Sequence, residues 1–453
     1  MASTYLSKTI TPGDHNGTTF TVSGWYKIDT ESHTSNNPVF SFHGSSDYTT
    51  LRVGNGNSID FLTYDGSVNF RKVTSQKLRD CNGWYHLVFV ADTTNGTADD
   101  RIRIYINGNR VTSFSNSSNP SSSFNLINSN KTEMNVGSEV DQTPTRSYFG
   151  GNMSHIHYCD GYAYDASNFG QTDSTTGEWA PKTSPSVSYG TEGFFLKFEN
   201  SGSMGTDSSG NGNNLTVNGN LTQTIDTPTH NFCTLNPLIP HGANLTFSNG
   251  NLSLATSSSQ WQGALASIAP NGGKYYFETK YNTGTGIKLD IARVDADIRN
   301  MTVSNNSYLS YTSLGYGYQL NNTGYDYYCN NNTCTTWNTG RGNSTKIIMV
   351  ALDFDNGKMW IGDSGTWYNK SGTANPETGD DPLHDFSSDL NGENWFINMS
   401  CEGSGTAHNL NFGGGFFGTT AVSTAGTNAS NIGTFEYDVP SGYTALTSKG
   451  LNE

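Results

Sequence analysis

The chain has 453 residues, of which 33% are hydrophobic, 12% aromatic and only 14% charged, with 51 Gly and a formal net charge of −15. That length admits two or three domains, and the aromatic content sets it apart from disordered chains, which are highly charged or Pro-rich. No basic stripe is present to track a phosphate backbone, and no run approaches the length of a membrane-spanning helix, so neither nucleic acid nor membrane insertion is expected. Asn, Thr, Ser and Gly are poor helix-interior residues, so many short strands joined by turns are expected instead.

The N-terminal MASTYLSKTITPGDHNG lacks a basic region followed by an apolar run, so synthesis in a cytoplasm without a signal peptide is expected. The six cysteines are then expected as thiols, although Cys329 and Cys334 lie close enough to bridge one loop, and the sequence leaves their pairing open. The frequent Asn-x-Ser/Thr triplets follow from the composition and are weak signals of glycosylation.

In chain order, YLSKTITP, FTVSGWYKI (20–28), VFSFHG (39–44) and TTLRVG (49–54) are short alternating segments bounded by turn residues. GWYHLVFVAD (83–92) and RIRIYINGNRV (101–111) form the clearest strand pair, with Asn107-Gly108 as a hairpin turn. Asp92, Asp99 and Asp100 flank that pair. Glu139-Val140-Asp141 has the alternate spacing that would aim two carboxylates into one cleft, but Pro144 stands where a third acid would be needed. His155 and His157 alternate along GNMSHIHYCDGYAYDASNFG (151–170). Two ligands without a third make a weak metal site, and both rings are expected to face solvent.

These segments resemble the strands of LamG-type, concanavalin A-like sandwiches over residues 1–220. In such modules a Trp opens the strand before an "NG" hairpin, and a later strand runs into a "DG" turn. QTDSTTGEWAPK, YGTEGFFLKFEN, DSSGNGNNLTVNG and DTPTHNFCTLNPL (171–238) resemble a segment of marine tailed-phage virion proteins that joins a LamG-like module to a SPRY-like one. FFLKFEN would normally open such a module but here follows its other strands. A circularly permuted sandwich is therefore expected, closed by the strand 189–200 lying beside Tyr5–Thr9.

After a linker at 221–240, a second module occupies 241–453. GKYYFETKY (273–281), GIKLDIARVDADI, GYGYQL, IIMVALDFDNGKMWIGDSGTW (347–367), NWFINMSCEG, HNLNFGG and VPSGYTALTSKGL resemble the strands of a phage SPRY-like module, with Asn356-Gly357 in its central hairpin turn. GIKLDIARVD and RGNSTKII depart from that pattern. Two tandem antiparallel β-sandwiches with little or no helix are thus expected.

Between the GYGYQL and IIMVAL strands lies a dense aromatic stretch. Tyr316 and Tyr318 are expected in the core. Tyr325, Tyr327, Tyr328 and Trp337 sit in the longer connection, with Asn330, Asn331 and Asn332 beside them. Rings as apolar platforms with amides as hydrogen bonders are what sugar-binding surfaces use, so Tyr325, Tyr327, Tyr328, Asn331 and Trp337 are the candidate ligand-binding residues. Glu377, Asp380, Asp381 and Asp385 fall in a Gly/Pro-rich loop. Such oxygens could ligate calcium, but no matched site supports it, so a solvated loop and no cofactor are expected.

The resemblance implies a non-enzymatic virion surface protein, a tail fibre or adhesin recognising a host surface glycan or protein. The alternatives are a capsid-decorating or structural protein binding other virion proteins, and a glycan-degrading enzyme. No heptad stalk precedes the sandwiches, and a homotrimer is one assembly the sequence leaves open.

Overall fold

The computed structural model describes residues 4–448 apart from 12, 31–32, 141–145, 175–176, 297–308, 322–324, 332, 340–345 and 369. Among the described residues there is no α-helix, only short 3₁₀ turns between strands. The chain divides into two compact units, Met1–Gln223 and Thr224–Glu453.

In the first unit an eight-stranded sheet runs, in spatial order, Phe114–Ser117, Val68–Lys77, Ser58–Tyr64, Tyr48–Val53, Asn37–His43, Glu133–Val136, Tyr5–Thr9 and Thr216–Asn218. The facing six-stranded sheet runs Phe194–Leu196, Gly151–Asp160, Thr19–Ile28, Tyr85–Asp92, Ile102–Ile106 and Asn109–Arg110. Every second residue of each strand points inward, so Phe20, Val22, Phe40, Phe42, Phe61, Leu87 and Phe89 meet in one core. The hairpin turn at Asn107-Gly108 has φ of 48° and 82°, the left-handed values such a turn requires.

The segment after residue 189 does return into the first unit, but not as expected. Phe194–Leu196 pairs with Gly151–Asp160 on the six-stranded sheet, and Thr216–Asn218 is the strand beside Tyr5–Thr9. Phe194 and Leu196 are too apolar for the outer edge of the other sheet and bury into the core, whereas Thr216 and Val217 remain exposed. The expected linker is also shorter. Leu235–His241 is an edge strand of the second unit, its two prolines accommodated by a register shift between Leu235 and Pro240.

The second unit stacks a seven-stranded sheet on a nine-stranded one. The first runs Leu235–His241, Gln262–Ala266, Trp395–Glu402, Gly286–Arg293, Gly315–Asn321, Tyr325–Asn330 and Thr333–Thr339. The second is built around Lys274–Thr283, Ile347–Asp353 and Lys358–Asp363, and all its pairings are antiparallel except Lys274–Thr283 with Thr444–Ala445. Ile347–Asp353 is apolar on both faces for a reason. Ile348, Val350 and Leu352 enter the inter-sheet core, while Met349 and Ala351 are covered from outside by Ile432, Phe435, Val439 and Tyr443.

Fully buried histidines fix a pH dependence. In the first unit Trp179 Nε1 donates to His86 Nδ1 at 3.0 Å, so His86 Nε2 carries the hydrogen toward Ser23 Oγ at 2.9 Å. Burial lowers His86 to about 3, and in the second unit it lowers His384 and His408 to about 4. Each ring is neutral when folded but titrates near 6.5 when unfolded. The stability it contributes is therefore complete above pH 6.5 and lost as pH falls from there toward 4. Urea unfolding at pH 7 and pH 5 should show a loss of about 2 kcal/mol per buried histidine. An unchanged midpoint would mean these rings are hydrated.

Candidate functional site

The site lies at one end of the second sandwich, between the edge hairpin Tyr325–Asn330/Thr333–Thr339 and a loop from the opposite sheet. The loop is placed by the strand Lys358–Asp363, whose outer edge is taken in two pieces, Thr366–Trp367 and His384–Asp385. The chain between those pieces bulges out and back. Lys358 Nζ donates to the Gly379 carbonyl and Trp360 Nε1 to the Asp380 carbonyl, both at 2.8 Å, tying the loop to the sheet.

Asp381 organises the loop internally. With φ of 42°, it turns its carboxylate onto the backbone N–H groups of Lys370, Ser371 and Gly372 and the Ser371 hydroxyl, at 2.7–3.0 Å. Desolvation alone would raise its pKa, but these donors outweigh it and hold the carboxyl at about 2.

In the hairpin, Cys329 and Cys334 are directly opposed across the two strands and disulfide-bonded, with Cα atoms 4.1 Å apart. This overturns the expectation of six thiols. Opposed cross-strand positions bring two Cβ atoms within bonding reach, a proximity set by the hairpin register and not by compartment. The other four cysteines are buried and outside any disulfide. Two residues beyond the paired Thr335, Trp337 is the extra residue of a β-bulge, since Asp326 pairs with Asn338 and Tyr327 with Thr336.

Between hairpin and loop opens a groove of about 960 Å³, with Tyr328, Thr336 and Trp337 on one wall and Lys370, Ser371, Asp380, Asp381 and Asp385 on the other. Trp337 rests edge-on against Tyr368 and Tyr318, with centroids at 5.7 and 6.3 Å, and Tyr328 against His384 at 6.0 Å. The Lys370 ammonium lies 4.6 Å above the Tyr328 ring, a cation–π contact across the groove.

Of the candidate residues, the structure brings Tyr328 and Trp337 into this groove. Tyr327 is half-buried and points to the opposite side of its strand from Tyr328. Asn331 is an exposed turn residue of the hairpin, with φ of 44°. Tyr325 pairs with Thr339 through its backbone, but its side chain and all of Asn332 lie outside the described residues. Tyr316 and Tyr318 are buried in the core. Lys370 and Ser371 were not singled out from the sequence. Only the pairing of His384–Asp385 with Lys358–Asp363 brings them opposite the aromatic wall.

Asp380, Asp381 and Asp385 share the groove wall, but each acidic candidate is engaged by a neighbouring donor. Glu377 accepts from the Ser441 N–H at 2.8 Å, Asp380 from the Thr378 hydroxyl at 2.6 Å, and Asp385 from the Ser387 hydroxyl at 2.6 Å. In the first unit Asp92 accepts from the Thr94 hydroxyl, Asp99 from Asn119 and Asp100 from Arg110. Among the described residues no group of three His, Cys, Asp or Glu side chains is arranged to hold a metal ion.

The two histidines do not both face solvent as expected. A register shift between Ser154 and His157 breaks the alternation, and His155 takes φ of 49°. His157 is buried, stacked on Phe195 at 4.0 Å and bonded to the Tyr189 hydroxyl at 2.9 Å. Glu139 is also buried. It accepts from Arg52 at 3.0 Å and from the Thr50 hydroxyl at 2.6 Å, and Arg52 in turn reaches Asp60. Asp141 lies outside the described residues. Glu139 thus serves a buried ion network, not a cleft.

Residues 3–161 match the family model Laminin_G_3, described as the Concanavalin A-like lectin/glucanases superfamily. No curated protein sequence matches the chain. Among solved structures it is similar to the TRIM65 PSpry domain, at 12% identity and a TM-score of 0.30 over 40% of this chain and 88% of that one. It is also similar to the SPRY domain of human HERC1, at 14% identity and a TM-score of 0.28 over 39% of this chain and 96% of that one. Scores of this order are no guide to ligand.

Two measurements test this geometry. Glu139→Ala takes from Arg52 one of its two carboxylates, leaving Asp60, which Arg71 shares, and should cost about 2 kcal/mol of first-unit stability. An unshifted melting transition would mean that Glu139 is solvated. Reduction, or Cys334→Ser, should weaken the hairpin by about 2 kcal/mol, the loop-closure value for so short a ring. Hydrogen exchange should then accelerate over 325–339 and not in Ile347–Asp353. Equal protection in both states would show that the bond does nothing for the wall.

Proposed function

We propose that the chain is a non-enzymatic binding protein whose second unit holds a saccharide in the groove between Tyr328, Trp337 and the 370–385 loop. The observation that carries this reading is the pairing of the two walls. Sugars present apolar C–H faces together with dense hydroxyls, and this groove sets half-buried rings against carboxylates, hydroxyls and one ammonium. The match of residues 3–161 to a lectin and glucanase superfamily is compatible with binding as the role of the first unit, without naming its ligand.

The finer reading is a tail fibre or adhesin on the surface of a tailed-phage virion, contacting a host glycan or surface protein. It is supported by the order of the 171–238 segments between two sandwiches, which resembles phage virion proteins. The non-enzymatic reading is supported by Glu139, the best-spaced carboxylate of the first unit, being committed to Arg52.

Soluble protein should bind host cells and compete with phage adsorption. Trp337→Ala should weaken that binding about tenfold, the worth of one aromatic stacking contact. Tyr327→Ala, on the other side of the strand, should leave it unchanged. Cell binding insensitive to Trp337 would move the site elsewhere. Tight association with capsid or tail proteins and none with cells would favour a decoration role. Release of reducing sugar from envelope material would make it an enzyme.

A further inference from the structure

We infer that the groove selects a saccharide free of acidic groups and favours one carrying an unmodified amine. The inference rests on the glycan-binding reading of the groove and adds the chemical class of its ligand.

Charge carries the argument. Three carboxylates, Asp380, Asp381 and Asp385, line the groove against one ammonium, Lys370. Asp381 is held at about 2 by its loop, and the hydroxyl and N–H of Ser387 lower Asp385, so both stay ionised through neutral and mildly acidic pH. Lys370 is already engaged, above the Tyr328 ring at 4.6 Å and donating to the Leu383 carbonyl at 3.3 Å. An incoming uronate or sulfate would find no uncommitted cation among the described lining residues and would meet two exposed carboxylates, Asp380 and Asp385. The chain's net charge of −15 adds to that repulsion.

The same features suit a cation. The face of Tyr328 already holds an ammonium, which shows that this ring presents its negative quadrupole to the groove. With that face taken by Lys370, a sugar amine would be drawn to Asp380 and Asp385, while its C–H faces pack on Trp337.

The test titrates the full chain with three probes at low salt, following heat. They are glucosamine oligomers, N-acetylglucosamine oligomers of the same length, and oligogalacturonate. Glucosamine oligomers should bind most tightly and oligogalacturonate most weakly. Asp380→Asn with Asp385→Asn should reduce the advantage of the amine by about threefold per carboxylate. Salt at about 1 M should do the same, because these charges are exposed. Binding of the acetylated oligomer should fall by less than that of the amine under either change.

Oligogalacturonate binding as tightly as the others, and weakened by Trp337→Ala, would overturn the selectivity and leave the groove standing. Amine binding indifferent to both substitutions would overturn the proposed contact. Saccharide binding untouched by Trp337→Ala would sink the groove reading and this inference with it.

Discussion

The candidate site depends on how the edge of Lys358–Asp363 is satisfied. A strand at that position exposes a row of N–H and C=O groups, and the chain covers it with two separate short pairings, Thr366–Trp367 and His384–Asp385. The residues between them must then leave the sheet and return, which creates the loop that walls the groove. Close approach at the base depends on Gly357, with φ of 66°. A Cβ there would lie 2.5 Å from the Ser387 backbone, so any other residue would push the returning chain away. Leu383 N–H on the Met359 carbonyl and Phe386 N–H on the Gly357 carbonyl, at 2.8 and 2.7 Å, complete the attachment.

The central hairpin and most strands were legible in the sequence because their signal is local. Side chains alternate with period two, and turns demand Gly or Asn where φ is positive. What escaped reading was set by distant partners. His155 and His157 look equivalent on an alternating strand until one bulge buries His157 against Phe195. Glu139 has the spacing of a catalytic acid, and only the fold shows that Arg52, on the strand Tyr48–Val53, reaches it. The segment after residue 189 sends its two short strands to different sheets of the first unit, Phe194–Leu196 to one and Thr216–Asn218 to the other, a division that no local pattern announces.

The aromatic stretch shows the same limit at finer scale. Composition marked Tyr327, Tyr328 and Trp337 together as ring-rich, but strand geometry separates them. Tyr328 and Trp337 share the groove face and Tyr327 takes the other. The opposite wall was visible only as an acidic loop, because nothing local says which strand edge His384–Asp385 will cover. Cys329 and Cys334 were ambiguous for a related reason. Their separation permits a bond, whereas their exact opposition across the hairpin puts the two sulfurs together.

Two very different devices hold the walls. The aromatic wall is an edge hairpin with mostly polar residues, TCTTWNT in its outer strand, so little apolar burial secures it, and a covalent cross-link takes that role. The loop wall has no sheet ladder over most of its length. There, one carboxylate gathers three consecutive N–H groups, and two sheet side chains hold its carbonyls. Both devices fix backbone before any ligand arrives, which reduces the ordering cost of association. They also place the charge: Asp381 is consumed as a structural anion, so the groove's exposed negative character falls to Asp380 and Asp385. One carboxylate of the loop thus gives the wall its shape, and two others give it the charge that an incoming anion would meet.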